Sequence, residues 1–120
     1  RIIMPGLVDN PFPLYKNALC LALTSRYEGW PNVINESIAS GCPVVSYDCR
    51  YGPSEILNGA NGFLIDEGNE SEFLKAVHLL NDDKELREGV ITNGLENVKQ
   101  YSIARISDRW LEIAGPNFHE

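Results

Sequence analysis

An apolar run that stops at a turn and restarts as a helix constrains this chain more than any other feature. Residues 19–23 read Leu-Cys-Leu-Ala-Leu, with no polar interruption. A run that short and continuous marks a strand buried on both faces of a parallel sheet. It leads into Ser25-Arg26-Tyr27-Glu28-Gly29-Trp30-Pro31-Asn32-Val33-Ile34-Asn35-Glu36. The backbone turns at Gly29, and an amphipathic helix pattern opens at Pro31. Proline suits a first helical turn because its missing N–H has no intrahelical partner there. A helix N-terminus therefore opens at a strand's carboxyl end, which is where open α/β sheets bind ligands. Its free N–H groups and partial positive charge suit phosphate. Glu28 sits just before the helix, and Glu36 lies about a turn and a half inside it. Two carboxylates bracket an anion site at different depths.

The rest of the chain repeats the alternation. Ile2-Ile3-Met4 reads as a short strand stopped by Pro5-Gly6, and residues 14–18 as a short helix after the Asn10-Pro11-Phe12-Pro13 turn. The central helix spans residues 31–40, with Ile34 and Ile38 as its apolar stripe and Val33 beside it. Gly41 fits the position just past its end, and Pro43 prevents continuation. Residues 43–47 are β-branched enough for the next strand. A loop follows over 48–52, then one helical turn from Pro53, then a strand over 62–65. Asn69 with Glu72 opens a helix carrying Phe73, Val77 and Leu80. Asp82 with Glu85 repeats that arrangement for a helix carrying Leu86, Val90 and Val98, which Gly89 and Gly94 weaken. Ser102 caps a last helix, whose Ile103, Ile106, Trp110 and Ile113 read as core packing. The tail from Gly115 reads as frayed. Strands alternating with helices imply an α/β fold with a doubly wound parallel sheet.

Composition excludes several function classes. At 120 residues the chain is one domain at most, and it begins at Arg1 without an initiator Met, like a piece of something longer. A net charge of −7 argues against a nucleic-acid backbone as the main partner. Cys20, Cys42 and Cys49 form no CxxC pair and read as reduced thiols of a cytoplasmic protein. His78 and His119 have no metal-ligand spacing with them, so no zinc site is expected. Glycine-rich phosphate loops and a hydrolase triad are absent. No run approaches the ~20 residues of a membrane span, and no signal peptide is expected.

The series Tyr27-Glu28-Gly29, Pro31-Asn32-Val33, Glu36, Gly41-x-Pro43-Val44-Val45, Asp48, Gly52-Pro53-x-Glu55-Ile56, Asn61-Gly62-Phe63-Leu64 and Gly68-Asn69-x-x-x-Phe73 resembles glycosyltransferase family 4 of the GT-B fold, with its E-x7-E pair. The resemblance covers residues 1–114 and leaves 115–120 as a tail. It implies the second half of a Rossmann-like C-terminal domain that binds a nucleoside-diphosphate sugar. The activity implied is retaining transfer to a glycan or lipid-linked acceptor, with no metal and no other cofactor. Glu28 would face the donor sugar at the reaction centre, and Glu36 would accept the ribose hydroxyls. The backbone around Trp30, Pro31, Asn32 and Val33, beyond the turn at Gly29, would hold the diphosphate, and Glu55 would orient near the donor. That division fits the chemistry: amides and a helix dipole stabilise a departing diphosphate, and a carboxylate favours an oxocarbenium-like centre. Membrane association, frequent in the family, would come at the inner face through the missing acceptor domain.

Two departures temper the resemblance. The family's basic residues for the diphosphate come from upstream segments, and Arg26 is no obvious substitute. In a 3-2-1-4-5-6 order, Ile2 to Met4 would be strand 3 and the 19–23 run strand 4, with strands 1 and 2 lacking. Low stability in isolation and no transfer by this chain alone are the expectations. The alternatives are a non-catalytic nucleotide-sugar-binding module and a nucleotide-sugar epimerase of the same fold.

Overall fold

The computed structural model describes residues 1–114. The tail from Gly115, including His119, lies outside them. Three parallel strands, β1 (Leu21–Leu23), β2 (Val44–Asp48) and β3 (Phe63–Asp66), pair in the order β1-β2-β3. Leu21 stands opposite Val44, Val45 opposite Phe63, and Asp48 opposite Asp66. The helices are α1 (Phe12–Asn17), α2 (Asn32–Ala39), α3 (Pro53–Ile56), α4 (Glu70–Asp82), α5 (Lys84–Val98) and α6 (Ile103–Ala114), with a 3-10 turn over Lys99–Tyr101.

Strand alternation explains the layering. Successive side chains of β2 point to opposite faces of the sheet. Val44 packs with Ile34, Ile38, Ile56 and Leu57 on the α2 and α3 side, and Val45 with Phe73, Ala76 and Leu80 on the α4 side. Helices therefore cover both faces, as the alternation predicts. The α2 stop is the expected one. Gly41, at φ +74°, donates its N–H to Ile38 O at 2.9 Å, and the Cys42 N–H reaches Ser37 O at 3.0 Å. That pair of bonds is the Schellman ending, which needs a left-handed residue at its centre. Asn69 caps α4 by accepting the Glu72 N–H at 3.2 Å.

Several expectations are corrected. Residues 2–4 form no strand, and Ile2 is 90% exposed. A strand exists only where a partner completes its ladder, and none pairs there among the described residues. The sheet is therefore contiguous from β1 to β3, without a gap between its strands. β1 is shorter than its apolar run and lies at the edge of the sheet, so Ala22 is exposed rather than covered on both faces. The α5 cap is Asp83, which accepts the Leu86 N–H at 2.9 Å, because α4 continues through Asp82. Gly94 is a packing residue as well as a weak helix former. A Cβ there would sit 3.0 Å from Ile38 Cγ2, so the bare backbone lets α5 approach α2. The apolar stripe of α6 is not core: Trp110 is 67% exposed, and Ile103 and Ile113 more so.

Candidate functional site

All three strands point their carboxyl ends at one edge, so the segments after them meet there. Residues 24–31 follow β1, 49–52 follow β2, and 67–69 follow β3. Tyr27 and Arg50 form a parallel bridge between the first two. Gly52 locks them: at φ +96°, a Cβ on it would fall 2.6 Å from Pro31 Cδ and 3.2 Å from Gly29 O. Only a residue without a side chain allows that approach. Its neighbour Tyr51 holds φ +79°, a strained conformation for a bulky residue. Arg50 lies over the Tyr51 ring at 5.4 Å, and Arg26 Nε reaches Glu67 Oε1 at 3.9 Å.

α2 opens from this locked turn. Pro31 is its N-cap residue, and no side chain caps it among the described residues. Within the turn, the Asn32 N–H donates to Trp30 O at 2.9 Å. An uncapped helix start keeps donors and partial positive charge available to an anion.

The two carboxylates have different neighbours. Glu28 is half-buried against the segment after β2. Burial first, then the Glu28 carboxylate, pushes the buried Cys49 thiol above its ordinary pKa. Glu36 is half-buried on α2 and accepts the Tyr15 hydroxyl on Oε2 at 3.3 Å. With Trp30, Asn32 and Asn35 it lines a groove of about 900 Å³ that Val98, Lys99 and Tyr101 also line. Asn35 Oδ1 is buried without a hydrogen-bond partner. Trp30 meets Tyr101 edge-on, with ring centroids 5.5 Å apart. The Tyr101 hydroxyl donates to the Glu55 backbone carbonyl at 3.1 Å, while the Glu55 side chain is exposed.

The groove thus gathers Trp30, Asn32 and Glu36. Gly29, Pro31 and Val33 form the turn beside it, and Glu28 and Glu55 lie outside its lining. Sequence reasoning missed Tyr15, Tyr101 and Cys49 as neighbours of the site. Tyr15 and Tyr101 come from α1 and from the 3-10 turn, and neither carries a motif signal. Among the described residues, no three His, Cys, Asp or Glu side chains gather as a metal site would require.

A family model described as glycosyl transferases group 1 matches residues 1–97. The chain belongs to this family. The group 1 glycosyl transferases similar to it are longer. The Bacillus subtilis poly(glycerol-phosphate) alpha-glucosyltransferase is 29% identical over 111 residues, which is 92% of this chain and 16% of that enzyme. Staphylococcus aureus TarM, solved with UDP and alpha-GlcNAc-glycerol, is 30% identical with a TM-score of 0.81, over 92% of this chain and 23% of TarM. The C-terminal domain of a group 1 family protein (LpcC) from Francisella tularensis shares the fold at 24% identity and TM-score 0.71, over 82% of this chain and 52% of that one. The architecture is that of a GT-B C-terminal domain. The chain spans less than a quarter of the first two relatives.

Proposed function

We propose that this chain is the donor-binding part of a longer family 4 glycosyltransferase. The enzyme moves a sugar, with retention, from a nucleoside diphosphate to a glycan or lipid-linked acceptor. The observation that carries the reading is the uncapped start of α2, with Glu28 just before it and Glu36 inside it. The diphosphate lies against the backbone of residues 30–33, where Pro31 has no N–H to give and the Asn32 N–H is turned to Trp30 O, so the Trp30 and Val33 N–H groups are the donors. As the glycosidic bond breaks, negative charge grows on the leaving diphosphate. Preorganised N–H groups and the α2 dipole stabilise it more in the transition state than in the ground state. This assignment needs no metal.

Glu28 faces the donor sugar, where its negative charge favours the cationic anomeric centre. Glu36 accepts the vicinal ribose hydroxyls from within the groove, as an acid does in dinucleotide-binding folds. Glu55, a first-turn acid of α3, orients near the donor. The structure of the related TarM in complex with UDP supports a nucleoside-diphosphate donor. The acceptor belongs to the rest of the polypeptide. Three free cysteines favour a reducing, cytoplasmic compartment. No helix among the described residues is long and apolar enough to cross a membrane.

The test is a pair of variants in the full-length enzyme. Glu36→Ala raises the donor Kd with a smaller effect on turnover, and Glu28→Gln lowers kcat with donor affinity nearly kept. If neither change alters affinity or rate, the site assignment is wrong. Conversion of the donor sugar without any acceptor identifies an epimerase instead.

A further inference from the structure

Glu36 has a partner that its place in the groove does not explain. The residue is half-buried on α2, yet the hydroxyl that meets it comes from Tyr15 on α1, 21 positions earlier. α1 is a fixed turn rather than a loose loop. Asn10 Oδ1 accepts the Phe12 N–H at 3.1 Å, and Asn17 Nδ2 donates to Pro13 O at 2.8 Å. The Phe12 and Tyr15 rings meet edge-on at 6.3 Å, and Phe12 lines the same groove as Glu36. These local contacts shape the turn, and from it the Tyr15 hydroxyl crosses to the Glu36 carboxylate.

A glutamate carries three rotatable bonds, and a free carboxylate samples many directions. A donor on one oxygen biases that freedom and leaves the other oxygen as acceptor. We propose that Tyr15 is a positioning residue: by holding Glu36 Oε2, it aims Oε1 at the hydroxyls of a ribose in the groove. This rests on the reading of Glu36 given above. The direction of proton sharing fits the role. Burial first, and then the Glu36 charge, push the Tyr15 hydroxyl above its ordinary pKa. The phenol stays protonated and remains a donor across the physiological range. The bond is long for an O–H donor, so it guides the carboxylate without competing strongly with a ligand.

The experiment uses the full-length enzyme and calorimetric titration with UDP, GDP and ADP, each beside its 2′-deoxy counterpart. Wild type prefers the ribonucleotide of the base it binds. Tyr15→Phe keeps the ring and removes the donor. It weakens the ribonucleotide about 5-fold, the scale of an ordinary hydrogen bond, and the 2′-deoxy form less than about 2-fold. Glu36→Gln erases the ribose preference, and Tyr15→Phe adds nothing in that background. In turnover, Tyr15→Phe raises the donor KM and leaves kcat at saturating donor, which a merely structural role would not do. Should Tyr15→Phe not fold, Tyr15→His is read by the same ratios. If Glu36→Gln erases the preference and Tyr15→Phe preserves it, the positioning role is overturned while the site reading stands. If Glu36→Gln leaves the preference intact, or no diphosphate binds wild type, the site reading falls and this inference with it.

Discussion

Replacing Gly52 by Ala puts a methyl carbon 2.6 Å from Pro31 Cδ and 3.2 Å from Gly29 O, at a backbone φ of +96°. Two costs follow. An L side chain in that region of backbone space costs ~1–3 kcal/mol. Separating the methyl from the proline ring forces one loop off the other, and overpacking of that kind costs ~1–3 kcal/mol. Neither contact atom is the end of a flexible chain, so relaxation moves backbone. The sum is about 4 kcal/mol, which lowers the urea midpoint by about 1–4 M at the usual slopes for small proteins. Gly59→Ala supplies the control. Gly59 has φ +82° with open space around it, so it feels the first cost alone. Urea unfolding followed by circular dichroism should place Gly52→Ala well below Gly59→Ala. Adding Pro31→Ala should recover part of the difference. Equal midpoints for the two glycine variants would refute the claim that the segments after β1 and β2 are locked by contact.

Other perturbations give separate checks. Leu80→Ala, at a fully buried position on the α4 side of the sheet, should destabilise by ~2–5 kcal/mol in the same unfolding assay. Asp83→Ala removes the α5 cap and should cost about 1 kcal/mol, whereas Asp82→Ala should cost little; the reverse ranking would contradict the capping geometry. On the alkaline side the sign is fixed by the thiols. Cys20 and Cys49 are raised, mainly by burial, so the folded state holds their protons more tightly than the unfolded chain. Their contribution is full below the unfolded thiol pKa of ~8.5 and is lost as pH climbs through the folded values. Urea midpoints should fall between pH 8 and 10, and Cys49→Ala should flatten part of that fall; a midpoint that rises over this interval would contradict it.

What could be read from the sequence depended on how local each cause was. α2 and its stop were legible because Pro31, Gly41 and Pro43 act on their own backbone. The Asn69 cap was legible for the same reason. The Ile2 to Met4 strand failed because β-structure depends on a neighbour that composition does not reveal. The α6 stripe failed similarly: its period was right, but periodicity does not say what lies opposite, and Trp110 faces outward. Asp82 and Asp83 could not be separated because either fits the capping pattern to within one residue. At the site, the spacing of Glu28 and Glu36 around a helix start was readable. Their different surroundings were not, since Cys49 and Tyr15 reach them from other elements. Gly94 looked like a simple flaw in α5 because its use depends on Ile38, far away in sequence.

The outer side of β1 carries a consequence for handling this polypeptide. Its ladder is filled only by β2 among the described residues, so three residues of main chain remain open to another strand. Such a margin invites sticking between copies, but one three residues long offers few rungs. The net charge of −7 adds mutual repulsion between copies. Concentrated solutions should therefore stay clear at low ionic strength and cloud as added salt screens that repulsion.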